Sequence, residues 1–164
     1  MFIYIIGKGA GSMLYRLATP QDIPVLIELR KRQLIDEGST PDTIIDNELN
    51  TFFERNFRDN SLVQWIVEEQ DEIIATAGVI FYAFPPSYTN ASGIKGYITN
   101  VYTHTSYRGQ GLASALLDKL VSEAKKRHVP VLLLEASTMG KPVYQKYGFT
   151  EMDTWMIYRL NLSF

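Results

Sequence analysis

The stretch from Tyr97 to Leu134 constrains the fold more than any other. A β-rich segment (97–103) leads into Tyr-Arg-Gly-Gln-Gly-Leu-Ala-Ser at 107–114, then an amphipathic helix over 112–126 and a buried-type strand over 129–134. Leu112, Leu116, Leu117, Leu120, Val121 and Ala124 form one apolar stripe, and Asp118, Lys119, Glu123 and Lys126 lie off it. Strand, helix and strand in immediate succession make a parallel crossover, so the fold must contain an α/β sheet. In an open sheet of that kind the loop after the first strand is where ligands bind.

The loop has the chemistry of an anion site. Gly109 and Gly111 lack Cβ atoms, which permits unusual dihedrals and close approach of a ligand to the backbone. The first N–H groups of the helix have no partner within it, and the helix dipole favours negative charge there. Arg108 adds a planar cation with five donors suited to phosphate oxygens. The expected ligand is a pyrophosphate. Two familiar phosphate loops are excluded: no G-x-x-x-x-G-K-[ST] occurs, and Gly109-Gln110-Gly111 runs into Leu112, Ala113 and Ser114 rather than completing G-x-G-x-x-G. Gly7-Lys8-Gly9-Ala10-Gly11-Ser12 has the wrong order for either.

Arg108-Gly109-Gln110-Gly111-Leu112-Ala113 reads as Arg-x-x-Gly-x-Ala and resembles the coenzyme A pyrophosphate loop of the GNAT superfamily of acetyl-CoA-dependent N-acetyltransferases. The run from Asn100 to Ala113 looks like that family's strand, loop and helix start, and Pro142-Val143-Tyr144-Gln145-Lys146-Tyr147-Gly148-Phe149 resembles its tyrosine helix followed by Gly-Phe. The resemblance implies an α/β (α+β) fold with a mixed, strongly twisted sheet of about six to seven strands flanked by about four helices. It covers element order from about Leu14 onward, with specific motifs confined to 97–149.

The rest of the chain fits one domain. Its 164 residues, 46% hydrophobic and 12% aromatic, suffice for a single substantial core. Residues 1–12 read as a flexible N-terminal extension and 13–164 as one N-acetyltransferase domain. A strand is expected at 14–17, then a helix begun by Thr19-Pro20-Gln21-Asp22 with Ile23, Leu26, Ile27, Arg30 and Leu34 along adjoining rows. A second helix is expected over 42–58 with Ile45, Leu49, Phe52 and Phe53 inward, then a hairpin of 62–69 and 73–84 turning at Gln70-Asp71-Glu72. Residues 85–93 carry the breaker signals of a loop. Net charge of −2 gives no footprint for nucleic acid, and no apolar run reaches the roughly 18 residues of a membrane span. With no cysteine there is no thiol nucleophile, zinc-thiolate site or disulfide, which is compatible with a cytoplasmic location.

The resemblance assigns the site residue by residue. Arg108, Gly109, Gln110, Gly111, Leu112, Ala113 and Ser114 would surround the pyrophosphate, and Val101, Tyr102 and Thr103 would take the pantetheine arm like an added strand and supply the oxyanion N–H. Ser137 is a weaker cofactor candidate, standing where many members have asparagine; Thr105 replaces a common proline and Gly140 a common alanine. Tyr144 matches the tyrosine that protonates the departing thiolate, a role open to a phenol that is protonated at neutral pH. The strand at 97–103 lacks the glutamate that members often use as base, leaving Glu68, Glu69, Glu135 or a water chain, with His104 set too near the phosphate loop. The acceptor would sit among the first two helices, their connection and the loop 84–96, where Glu28, Asp36, Glu37, Asp46 and Glu48 could attract an amine. The expected reaction is acetyl transfer from acetyl-CoA, as cosubstrate and without a metal, to a primary amine by direct attack in a ternary complex. The alternative is a non-catalytic acyl-CoA-binding sensor or docking module. The expected partner is a small-molecule or protein amine, with no nucleic acid or membrane and a homodimer left open.

Overall fold

The computed structural model describes residues 12–160, so the expected extension lies, apart from Ser12, outside the described residues. β1 (Leu14–Leu17), β2 (Leu62–Glu69), β3 (Glu72–Ala83), β4 (Ile94–Thr103) and β5 (Leu132–Leu133) form one sheet in that spatial order. The first three pairings are antiparallel, and β4 pairs with β5 in parallel across α3 (Leu112–Lys126). The crossover read from the sequence is present, and α3 has the expected bounds.

Alternation along β2 sends side chains to two separate cores. Val63, Trp65 and Val67 face α3, where Leu112, Leu116, Leu117 and Leu120 complete the larger cluster. Leu62 and Ile66 face the other side, against Ile23, Leu26 and Ile27 of α1 (Ile23–Asp36) and Phe53 of α2 (Asp46–Arg58). The two helical layers thus fix the sheet from both faces. The last helix, α4 (Lys141–Tyr147), adds Tyr144 and Tyr147 to the edge of the α3 cluster. No helix among the described residues is long and apolar enough to cross a membrane.

β4 begins at Ile94, three residues before the expected 97, and three other differences from the sequence reading have local reasons. α2 starts at Asp46 rather than 42, because its acidic first turn is Asp46 and Glu48, and Lys31 of α1 grips the Asp46 carboxylate at 2.8 Å. The β2–β3 hairpin turns on two residues, Gln70 and Asp71, with φ of 51° and 64°, the pair of positive values a type I′ turn requires. The strand expected over 129–134 contracts to Leu132–Leu133, since Pro130 has no N–H to give and the chain then leaves β4. Five strands therefore form among the described residues, fewer than the six to seven implied by the resemblance. Residues 150–160 join no strand, and Trp155, Met156, Ile157, Tyr158 and Leu160 are exposed.

The entry to α1 is held by charge. Arg16 on β1 donates to both Asp22 oxygens at 2.8 and 2.9 Å and to Glu68 on β2 at 2.8 Å. Asp22 also accepts from the Thr19 N–H at 2.7 Å and from the Thr19 hydroxyl at 3.0 Å. The Arg16 guanidinium, against the cost of burial and with help from Thr19, lowers the Asp22 carboxyl to about 2. A carboxylate depressed on folding stabilises above its ordinary pKa and loses that contribution as pH falls through the folded value. Asp22→Asn is therefore expected to lower unfolding free energy at neutral pH by about 2 kcal/mol. In urea titrations across pH, wild type should keep this advantage down to about pH 4 and lose it towards pH 2.

Candidate active site

A cleft of about 390 Å³ opens where β4 and β5 part. β5 meets β4 only at Gly96↔Leu132 and Tyr97↔Leu133, so beyond Tyr97 no strand stands beside that edge of β4. Val101, Tyr102 and Thr103 form one wall of the cleft, and Tyr107, Arg108, Gly109 and Gly111 to Ser114 form the next. Ser137, Met139, Gly140, Val143, Tyr144 and Lys146 close a third side. Gln33, Asp36 and Glu37, from the end of α1, complete it.

The wall on β4 is shaped by a bulge. Gly78 pairs with Thr99 and Thr76 with Tyr102, which leaves Asn100 and Val101 together opposite Ala77. Such an extra residue bends the strand and re-aims the residues beyond it. Asn100 takes φ of 53°, a left-handed value that asparagine tolerates better than most residues. Its amide, 6% exposed as a residue, donates to Gln64 Oε1 at 3.3 Å, and Gln64 Nε2 donates in turn to the Thr76 hydroxyl. Thr76 Oγ1 donates onward to the Trp65 carbonyl at 2.9 Å. Gly78 leaves room for this network, since a Cβ there would lie 2.2 Å from Gln64 Oε1. Asn100, Gln64, Thr76 and Gly78 escaped sequence reasoning. Their only trace is a polar residue set among apolar ones in each of three strands and a glycine within β3.

The glycine loop has the expected geometry. Gly109 and Gly111 have φ of 78° and 81°. A Cβ at either would meet nothing within 4 Å, so it is the backbone conformation that calls for glycine, and the space above the loop stays open. Gly111 caps α3 without a side-chain bond, and the Ala115 N–H bonds the Gly111 carbonyl at 3.0 Å. The helix therefore offers no partner to the N–H groups of Leu112, Ala113 and Ser114. Leu112 sends its side chain into the core at 4% exposure, so anything it gives a ligand comes from its backbone. Gln110 does not line the cleft. Arg108 donates through Nε to the Thr103 carbonyl at 3.0 Å and pairs with the Asp36 carboxylate, which fastens the loop to both β4 and α1.

Tyr144 projects from α4 into the cleft, its ring edge-on to Phe149 with centroids 5.9 Å apart. A Cβ on Gly140 would lie 3.0 Å from Tyr144 Cε2, so glycine at this position gives the ring its room. Ser137 lines the cleft with its hydroxyl engaged, accepting the Gly140 N–H at 3.1 Å. Burial first, then the negative charge of Glu37 and electrostatic coupling to the Tyr97 phenol, push the Tyr144 phenol up to about 12. It stays protonated throughout the neutral range. Tyr147 points elsewhere, donating to Asp118 of α3 at 2.7 Å.

Several acids considered from sequence are committed away from the cleft. Glu68 binds Arg16, while Glu28 and Asp46 both bind Lys31. His104 accepts the Ser106 N–H at 3.3 Å within its own turn. Asp36 and Glu37 do line the cleft, whereas the loop 84–93 and α2 do not.

Comparison with known proteins agrees with this geometry. Residues 24–149 match the family model described as the acetyltransferase (GNAT) family. A crystal structure of a predicted acetyltransferase with acetyl-CoA from Clostridium acetobutylicum superposes with a TM-score of 0.88 at 51% identity, covering 90% of this chain and 96% of that one. The glucosamine 6-phosphate N-acetyltransferase of Trypanosoma brucei brucei is 32% identical over 77 residues, 47% of this chain and 51% of that protein. The enzyme of the same name from Arabidopsis thaliana is 23% identical over 126 residues, 76% of this chain and 83% of that protein. The match thus spans about half the length of the first of these relatives and most of the second.

The bulge is open to test by substitution. Asn100→Val puts a β-branched residue at positive φ and strips Gln64 Oε1 of its donor, at an expected cost of about 2–4 kcal/mol. Asn100→Gly keeps the conformation and loses only the amide bond, so chemical denaturation should show about half that loss or less.

Proposed function

This chain belongs to the acetyltransferase (GNAT) family, and we propose that its described cleft carries acetyl from acetyl-CoA to a primary amine by direct attack in a ternary complex. The observation that carries the reading is the meeting of three donors in one cleft: the loop at Arg108 to Ser114, the bulged backbone at Val101, and the phenol of Tyr144. The N–H groups at the start of α3, with Arg108, receive the pyrophosphate, as the dipole and the unpartnered donors favour. The unpaired edge of β4 from Val101 to Thr103 takes the pantetheine amides as an added strand would. The reactive acetyl then lies between the bulge and Tyr144.

The residues divide the chemistry. A backbone N–H at Val101, set off from the ladder by the bulge, receives the oxyanion as the amine adds to the thioester carbonyl. Tyr144 gives its proton to the sulfur as the C–S bond breaks. A phenol at about 12 is a weaker acid than a thiol near 8.5, so full transfer alone would be uphill by roughly 5 kcal/mol. The transfer becomes favourable when the nitrogen of the new amide returns its proton to Tyr144 in the same event. Without cysteine in the chain, no thiol carries an acyl intermediate.

The same reading gives a single catalytic domain over 13–164, acting in the cytoplasm on an amine of a small molecule or of a protein terminus. The exposed apolar run at Trp155 to Tyr158 supports a homodimer. A second acceptor reading has specific support: both curated relatives are named for glucosamine 6-phosphate, so that amino sugar heads the panel. A non-catalytic acyl-CoA sensor has no use for a half-buried phenol facing the thioester position.

Thiol release from acetyl-CoA should be seen with at least one of glucosamine 6-phosphate, spermidine, n-butylamine and an alanyl peptide. Tight acetyl-CoA binding with no release in any of them would favour the sensor. Tyr144→Phe should lower kcat by about 100-fold and leave the acetyl-CoA dissociation constant within about twofold. Because the phenol stays protonated, kcat should show no alkaline fall below about pH 10.

A further inference from the structure

β4 reads Ile-Lys-Gly-Tyr-Ile-Thr-Asn-Val-Tyr-Thr and contains no acid, so the proton lost by an attacking amine must go elsewhere. The end of α1 supplies a place for it. We infer that Glu37 binds the ammonium of the acceptor and takes its proton, so that the acceptor enters as a cation past the last turn of α1. This assignment rests on the acetyl-transfer reading and extends it to the acceptor half.

Glu37 is the C-cap residue of α1, its N–H bonded to the Gln33 and Ile35 carbonyls, so its backbone is anchored. Its carboxylate Oε1 accepts from Gln33 Nε2 at 2.9 Å. Gln33 is 8% exposed, and its own carbonyl oxygen accepts from Arg30 Nη1 at 3.1 Å. The cation of Arg30 polarises the Gln33 amide, which then orients the carboxylate; this uses one of about four lone-pair sites. Gln33, Glu37, Val101 and Tyr144 all line the same cleft. The other cleft carboxylate, Asp36, is paired with Arg108.

The charged and titratable groups around Glu37 agree with the role. Arg30 and Asp36 belong to its own helix, the latter paired with Arg108 of the glycine loop, Tyr97 of β4 lies within electrostatic reach, and Tyr144 and Lys146 come from α4. Glu135, beyond β5, acts on Tyr97 and does not line the cleft. The charge of Glu37 is one reason the Tyr144 phenol holds its proton, so one group accepts a proton while the facing one retains its own.

The protons balance. The acceptor arrives as R–NH3+ and gives one proton to the Glu37 carboxylate. The neutral amine bonds to the acetyl carbon, and the C–S bond breaks with Tyr144 protonating the sulfur. The amide nitrogen returns its second proton to Tyr144, and Glu37 releases the first to solvent.

The test uses the full chain, with wild type, Glu37→Gln and Glu37→Asp assayed for thiol release from acetyl-CoA. The amines are glucosamine 6-phosphate, spermidine, n-butylamine and an alanyl peptide. For the amine that wild type turns over, Glu37→Gln should lose about 100-fold in kcat/KM at neutral pH, with acetyl-CoA affinity within about twofold. That loss should shrink as pH approaches the amine's own pKa, because free amine then needs no base, and Glu37→Asp should recover part of the rate. An unchanged rate in Glu37→Gln, a loss that is uniform across pH, or a parallel loss of acetyl-CoA affinity would overturn the assignment alone. No thiol release by wild type with any of the four amines would overturn the acetyl-transfer reading and the assignment with it.

Discussion

β4 and β5 share two register pairs and then part, and the site depends on where they do so. An intact parallel ladder would satisfy the edge of β4 and leave no cleft. A parting nearer the start of β4 would expose the backbone without the helix end beside it. Here the strands separate after Tyr97, three residues before the bulge at Asn100 and Val101. The unpaired edge, the bulged backbone and the start of α3 therefore open onto the same space. The bulge is itself secured from behind by Gln64 and Thr76, a polar network buried within the sheet. Such a network is tolerated because its members are paired, and its pairing is what makes the backbone conformation unique.

The last turn of α1 links the two halves of the reaction. Neighbouring residues on it face different partners, Asp36 the arginine of the carrier loop and Glu37 the cleft beside Tyr144. α1 is held at its other end by Asp22, which is tied to Arg16 of β1, itself paired with Glu68 of β2. Its packing against Phe53 of α2 and Ile66 of β2 keeps it from moving as a free element. A helix fixed at both ends and by its apolar face can hold a carboxylate and a loop in register with one another. That rigidity is the physical reason to expect the carrier and acceptor sites to respond together.

How much of this could be read from sequence depends on how local each signal is. The stripe of α3 and the positive-φ glycines before it are local, and both were legible down to the ends of the helix at Leu112 and Lys126. The resemblance in Arg108 to Ala113 and around Tyr144 pointed to residues that the fold, Gln110 apart, does bring to one cleft. Asn100 was not legible, because its role depends on Gln64, which is 36 residues away, and on a register slip that no periodicity records. Glu37 was one of five acids on α1 and α2 that looked alike in sequence. Only tertiary placement separates it from Glu28 and Asp46, which are both spent on Lys31. The contraction of β5 was hidden for the opposite reason: the apolar run is real, but pairing ends before the run does.

The central claim is that the carrier binds through backbone N–H groups at the bulge and at the start of α3. Amide hydrogen exchange, read residue by residue with and without acetyl-CoA, tests it most directly. Acetyl-CoA is expected to slow exchange at Val101, at Thr103 and at Leu112 to Ser114, while the loop 85–93 is unaffected. Protection confined to other parts of the chain, with exchange at those amides unchanged by saturating acetyl-CoA, would contradict it.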